Sequence, residues 1–118
     1  MYSGVPNLAS AFGYTNASWT LKCDLIAEHF CRLLNHMRAR GYGVVTPRVR
    51  DPSMQTGPLL DLKSGYVRRA LGTIPRQGTR APWRLHQNYV KDLLLLRFGR
   101  VVEDELEFEP TRRPSARA

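Results

Sequence analysis

The sequence predicts an α/β fragment in which one short strand and one long helix are followed by mostly helical and loop segments. Leu8–Phe12 is a run of small and apolar residues that ends at Gly13, as expected of a strand in a crowded interior. The apolar residues of Ala17–Arg40 recur with the period of a helix. A lone strand needs neighbouring strands to form a sheet. The sequence therefore predicts part of a domain whose remaining strands lie elsewhere.

The composition is that of a globular protein. The chain has 118 residues, of which 42% are hydrophobic and 24% charged, a balance that excludes a disordered polypeptide. The longest apolar run, Leu93–Leu96, has four residues and is far too short to span a membrane. The first residues lack the basic and apolar regions of a secretory signal. We expect a cytoplasmic protein without a transmembrane segment.

The two cysteines predict reduced thiols and no disulfide. Cys23 and Cys31 lie in one predicted helix, where eight residues span about 12 Å, too far for a disulfide. We expect both thiols to be buried, in keeping with a cytosolic protein. His29 and His36 lack the spacing of known metal-binding motifs, and no pattern of nucleophile and base is present. The sequence predicts neither a metal site nor a catalytic residue of its own.

The charge is +8 and unevenly distributed. Nine basic residues and one acid lie between Lys63 and Arg100, whereas five acids and no base lie between Glu103 and Glu109. One interpretation is a solvated basic face, which charge alone favours. The other is a surface for phosphates of nucleic acid, nucleotide or acidic lipid.

The helix from about Ala17 to Arg40 is the strongest local prediction. Its apolar residues alternate in steps of four and three and form one seam, which consists of Trp19, Cys23, Ile26, Phe30, Leu33 and Met37. Arg38 and Arg40 suit the negative end of the helix dipole, and Gly41 suits a left-handed C-terminal cap.

The remaining sequence predicts shorter elements. They are an extended piece at Val44–Val45, a loop over Thr46–Leu60, a helix from about Gly65 to Leu71 capped by Ser64, a helix over Arg84–Arg97, an edge strand within Val101–Phe108, and a disordered tail from Pro110.

The start of the long helix is the candidate ligand site, comprising Tyr14, Thr15, Asn16, Ala17 and Ser18. A helix N-terminus presents backbone N–H groups and a partial positive charge, which suit an anion or an electron-rich oxygen. Simpler roles compete for each side chain. Asn16 or Ser18 could be a helix cap, Tyr14 and Trp19 could be packing residues, and Lys22 fits a solvated lysine better than a ligand contact.

The segment from Val5-Pro6-Asn7-Leu8 to Gly13-Tyr-Thr-Asn-Ala-Ser-Trp-Thr-Leu21-Lys22 resembles the C-terminal part of class B flavoprotein monooxygenases of the Baeyer–Villiger type. The resemblance continues through Ser64–Leu71 and Pro75–Arg84 and covers about Met1 to Phe108. It implies the cofactors FAD and NADPH, reaction with O2, and oxygenation of small organic ketones, sulfides or thioamides.

The resemblance also assigns parts of the chain. Residues 1–46 would be the last strand and last long helix of a doubly wound FAD-binding domain, residues 47–109 a C-terminal extension, and residues 110–118 a disordered tail. Tyr14, Thr15, Asn16, Ala17 and Ser18 would contact the pyrimidine edge of the flavin, where backbone N–H groups could stabilise negative charge on the reduced ring.

The sequence departs from that family in lacking both dinucleotide-binding motifs. Gly41-Tyr-Gly-Val-Val-Thr46 follows a helix instead of a strand and has threonine where the last glycine is needed. We therefore expect the chain to be inactive alone and to bind neither FAD nor NADPH tightly. It would be either a truncated relic or a fragment that complements a separately encoded N-terminal monooxygenase part. The alternative from another class is a small module that binds nucleic acid or acidic lipid through Lys63–Arg100.

Overall fold

The computed structural model describes residues 1–15, 17–59, 65–70 and 72–112. The chain forms two compact units, which are Met1–Arg50 with Gln87–Ala118, and Asp51–His86. These units divide the chain at other positions than the predicted boundary near residue 46. The boundary implied by the resemblance stays a prediction.

Helix α1, Trp19–Arg40, is the main element of the first unit and has 22 residues. It begins two residues later than predicted and ends where predicted. Gly41 adopts a left-handed conformation with φ 70°, and its N–H group is directed to the carbonyls of Met37 and Arg38. The C-terminal cap expected from the sequence is confirmed.

The buried face of α1 differs from the predicted apolar seam. Lys22, Leu25 and Met37 are the buried residues of the helix, whereas Trp19 and Phe30 are 48% and 39% exposed. The prediction assumed that the seam faces the core, but the helix packs through an adjacent face against the segment 89–97. Of the seam, only Met37 is buried.

The prediction of two buried thiols is also wrong in part. Both cysteines are free, but Cys31 is exposed and Cys23 is only half-buried. The reason is the same rotation of the helix, which turns the seam and its border away from the segment that α1 packs against.

Strands β1, Tyr42–Pro47, and β4, Leu106–Pro110, form an antiparallel pair in which Val45 lies opposite Phe108. The Tyr42 and Phe108 rings stack with their centroids 5.1 Å apart. The Thr111 N–H donates to the Gly41 carbonyl at 2.9 Å. Ordered structure therefore extends beyond Pro110, where the tail was predicted to begin. The rest of that tail, residues 113–118, lies outside the described residues.

The predicted strand Leu8–Phe12 is wrong for this structure, since the segment is irregular. A strand exists only where another strand takes up its N–H and carbonyl groups, and none of the described strands pairs with it. The residues just before it lie along β1 instead. Gly4 N–H donates to the Pro47 carbonyl at 2.8 Å and Asn7 N–H to the Val45 carbonyl at 3.0 Å.

The helix predicted over Arg84–Arg97 begins later, at Tyr89. Helix α3, Tyr89–Asp92, continues directly as a π-helix, Leu93–Arg97. The Asn88 side chain caps α3 by accepting from the Lys91 N–H group at 3.1 Å. Arg32 of α1 donates to the carbonyls of Leu96, Arg97 and Gly99 at 3.1, 2.7 and 3.0 Å. These bonds satisfy carbonyls at the end of the helical segment, which have no partner within it.

The second unit contains helix α2, Gly65–Ala70, and an antiparallel pair of short strands, β2, Thr56–Pro58, and β3, Arg76–Gly78. Strand β2 lies within the predicted loop Thr46–Leu60. The predicted cap Ser64 and helix end Leu71 lie outside the described residues. The chain as described is a small α/β protein with antiparallel strands. None of its described helices is long and apolar enough to cross a membrane.

Candidate functional site

Tyr14 lies at the centre of a buried polar cluster next to the start of α1. Its hydroxyl donates to Asp92 Oδ2 at 2.5 Å. The Lys22 ammonium is 3.2 Å from the same carboxylate oxygen, and both charged side chains are about 95% buried. Lys22 Nζ also lies 5.1 Å from the centroid of the Tyr14 ring. The segment before α1, the first turn of α1 and α3 therefore each contribute one residue to this contact.

The burial of Lys22 corrects the expectation that it is solvated. A lysine in the first turn faces the positive end of the helix dipole, and a buried ammonium without a partner is strongly unfavourable. Asp92 compensates both effects by placing a negative charge beside it. Burial, and then the hydrogen bond to Asp92, raise the pKa of Tyr14 well above its usual value. Tyr14 is therefore protonated and able to donate.

Thr15 is connected to the same part of the chain. Its N–H group donates to Gln87 Oε1 at 3.0 Å, and its hydroxyl donates to the same oxygen at 3.3 Å. Gln87 lies just before α3 and Asp92 at its end. Two consecutive residues of the candidate site are thus held by side chains more than 70 positions away in the sequence.

The other predicted site residues flank the start of α1. Ala17 and Ser18 are exposed, as is Thr15, and Asn16 lies outside the described residues. Ser18 occupies the N-cap position, but its side chain makes no capping hydrogen bond. It lies 3.0 Å from the Thr20 hydroxyl instead. Ser18 is therefore the N-cap residue, one of the two alternatives drawn from the sequence, but its side chain does not bond to the helix.

Gly13 and the aromatic residues beside it pack closely. The Phe12 and Trp19 rings are 5.0 Å apart between centroids. A Cβ atom at Gly13 would collide with the Trp19 ring and backbone. The small residue is therefore needed for the chain to pass over the first turn of α1, where Trp19 remains half-exposed.

The chemistry of this surface fits an electron-rich oxygen. The first turn of α1 contains no acidic residue, and the positive end of a 22-residue helix lies beside the exposed residues Ala17 and Ser18. Among the described residues there is no group of side chains that could hold a metal ion. The site offers hydrogen-bond donors and a helix dipole for one edge of a ligand.

The basic region 63–100 has internal partners at several positions. Arg80 lies 2.6 Å from Asp51, and Arg97 lies 2.6 Å from Glu28. Arg76 donates to the Thr56 hydroxyl and carbonyl, both at 3.0 Å. These arginines serve the folding of their own units, which agrees with a solvated basic face more than with a surface for polyanions.

Asp92 and Gln87 were missed by reasoning from the sequence. Asp92 is the one acid between Lys63 and Arg100 and directly precedes four leucines. An acid in such a context is a signal of a buried charge with a partner. The sequence could not identify that partner, because Lys22 looks like an ordinary exposed helix residue.

Comparison with known proteins places the chain among flavoproteins. It is 49% identical over 112 residues to the FAD-containing monooxygenase EthA of Mycolicibacterium smegmatis, covering 95% of this chain and 23% of the relative. It is 45% identical over 115 residues to EthA of Mycobacterium tuberculosis, covering 98% of this chain and 23% of the relative. It is 42% identical over 110 residues to a protein of Acinetobacter baylyi named "Probable FAD-binding monooxygenase AlmA", covering 92% of this chain and 22% of the relative.

The chain thus spans about a quarter of the length of the curated relatives that it matches. No protein-family model and no solved structure matches it. The similarity extends over nearly the whole chain, including the segment from Gly13 to Lys22 that forms the candidate site. The chain belongs to the class B flavin-dependent monooxygenases and corresponds to their C-terminal part.

Proposed function

We propose that the chain supplies the flavin-facing C-terminal segment of an NADPH-dependent monooxygenase of the Baeyer–Villiger type. The enzyme would oxygenate small ketones, sulfides or thioamides. In the assembled enzyme, α1 would be the last long helix of a doubly wound FAD-binding domain. The cytoplasm, where thiols stay reduced, is the compartment we propose. The 49% identity to an FAD-containing monooxygenase over 95% of this chain carries the proposal.

The residues proposed to contact the flavin are Tyr14, Thr15, Asn16, Ala17 and Ser18. The exposure of Ala17 and Ser18 at the positive end of α1 supports contact with the oxygen-bearing edge of the ring. When bound, the flavin would supply the redox chemistry and the activation of O2. The residues of this chain would orient one edge of the ring and favour negative charge on it.

The described residues offer no equivalent site for the nucleotide half of FAD or for NADPH. A Gly-rich loop between a strand and a helix is the usual means of binding a pyrophosphate, and the chain has none. The proposal therefore requires the part of the monooxygenase that corresponds to about the N-terminal three quarters of the relatives, and we propose that a partner polypeptide supplies it.

The exposed part of the predicted seam is the surface we propose for that partner. Trp19 and Phe30 are large apolar side chains with 48% and 39% of their surface exposed. The other seam residues Cys23, Ile26 and Leu33 are half-buried. An apolar stripe with helical period normally packs against another element. The missing sheet of the flavin-binding domain would cover it.

Reconstitution tests this function directly. The purified chain is mixed with a truncated EthA of M. smegmatis that lacks the matching 112-residue region. We expect neither polypeptide alone to retain FAD, whereas the mixture binds it stoichiometrically and oxidises NADPH in the presence of a ketone or sulfide. Tight FAD binding by the chain alone would contradict the need for a partner. A mixture without FAD would contradict the proposal.

Variants of the exposed seam separate specific association from chance. Replacing both Trp19 and Phe30 by lysine is expected to abolish the association, because two charges would enter a buried contact. Leu94→Lys is the matched control, since Leu94 is 58% exposed on the π-helix and outside the seam. Equal loss of association in both variants would show that the seam is not the contact surface.

A further inference from the structure

We propose that Asp92 and Gln87 are positioning residues that hold Tyr14, Thr15 and the first turn of α1 in place for a ligand. The inference rests on the proposed function, because that function identifies the ligand as the edge of a flavin. Both residues lie in the C-terminal part of the first unit, and neither belongs to the predicted site. Their contribution is to fix where the exposed donors at the start of α1 point.

Asp92 contacts one residue before and one residue after Ala17 and Ser18. The same carboxylate oxygen lies 2.5 Å from the Tyr14 hydroxyl and 3.2 Å from Lys22 Nζ. Tyr14 precedes the exposed residues and Lys22 follows them in the first turn of α1. Because the carboxylate is buried, water has little access to it and cannot readily replace either contact.

Gln87 fixes the backbone at Thr15, the residue after Tyr14. Its amide oxygen accepts from both the N–H group and the hydroxyl of Thr15. With Thr15 held on one side and Lys22 on the other, Ala17 and Ser18 lie in a short span between two anchored points. The donors at the start of α1 are thereby preorganised, as recognition of a developing charge requires.

The element that carries the two anchors is itself well held. The Asn88 side chain caps α3 between Gln87 and Asp92, and Arg32 donates to three carbonyls at the end of the π-helix. Gln87 and Asp92 therefore connect Tyr14 and Thr15 to a helical segment that is itself held in place.

Amide hydrogen exchange of the full chain, resolved by NMR, tests the anchoring without any cofactor. In Gln87→Ala, the Thr15 amide should exchange roughly two- to tenfold faster, the loss expected for one neutral hydrogen bond. Gln87→Glu keeps an acceptor oxygen and should restore protection. Gln55→Ala, an exposed glutamine of the other unit, should change nothing at Thr15. Unchanged exchange in Gln87→Ala would overturn the proposal.

The second readout is the reconstituted complex with truncated EthA, loaded with FAD. In Gln87→Ala and Asp92→Asn, we expect about tenfold weaker FAD binding and a lower midpoint potential, because donors to the reduced ring are misplaced. Gln87→Glu keeps an acceptor oxygen for Thr15 and should bind FAD more tightly than Gln87→Ala. Should Asp92→Asn fail to fold, the two Gln87 variants decide alone. Unchanged affinity and potential in Gln87→Ala would overturn the role in ligand positioning.

The two readouts separate failure of this inference from failure of the proposed function. If the parent complex binds no FAD, the proposed function is refuted. The role of Asp92 and Gln87 in positioning the ligand is then refuted as well. If the parent complex binds FAD but the Gln87 and Asp92 variants behave like it, only the positioning role is refuted.

Discussion

Removal of the Asp92 charge should be among the most destabilising single changes in the chain. Asp92→Asn removes the negative charge beside the Lys22 ammonium, at a site where both side chains are about 95% buried. The attraction between the two charges at 3.2 Å is about 5 kcal/mol at an effective dielectric constant of 20. Desolvation opposes that attraction, so the truncation cost of about 3–5 kcal/mol is the better guide.

The assay is urea denaturation of the isolated chain followed by circular dichroism, and the control is Asp24→Asn on the exposed side of α1. The control should stay within about 0.5 kcal/mol of the parent. A loss of 3–5 kcal/mol is a large part of the total stability of a small domain, which is about 5–15 kcal/mol. Asp92→Asn is therefore expected to be mostly unfolded at modest urea concentrations.

A triple variant, Tyr14→Phe, Lys22→Met and Asp92→Leu, tests the reasoning further. It removes both charges of the ion pair together with the Tyr14 hydroxyl that donates to the carboxylate. We expect it to recover most of the stability lost in Asp92→Asn, since apolar replacement of a buried ion pair is often neutral. The reasoning would be refuted if Asp92→Asn behaved like Asp24→Asn, or if the triple variant were no more stable than the single one.

Three further predictions concern packing, the helix cap and pH. Leu25, which is 1% exposed, should lose about 2–5 kcal/mol in Leu25→Ala, whereas Leu34→Ala at a 43% exposed position should lose under about 0.5 kcal/mol in the same urea assay. Gly41→Val should lower the melting temperature more than Gly41→Asn, because φ is 70° and asparagine tolerates the left-handed region better; equal losses would argue against a conformational cause. The raised pKa of Tyr14 means that the folded state retains its proton longer than the unfolded state. Stability should therefore be full below about pH 10 and decrease as pH rises above it, less steeply in Tyr14→Phe; identical pH profiles would count against the buried hydroxyl.

The local sequence was sufficient to predict the elements whose signals are local. The length of α1 follows from the period of its apolar residues, and its end follows from the two arginines and Gly41. The existence of β4, although not its start, follows from the alternation around Leu106 and Phe108. The family could also be identified from the segment Gly13–Lys22, because that string is long and specific.

The tertiary structure alone decided which groups those elements bury. Leu8–Phe12 has the composition of a strand, but strand formation depends on a partner that is not among the described strands. The period of α1 defines an apolar seam but not which face is covered, and in this structure Trp19 and Phe30 remain exposed. Lys22 is buried because a carboxylate 70 positions further along compensates its charge. Such a pairing lies beyond any local pattern, since its stability depends on two distant residues meeting where water is excluded.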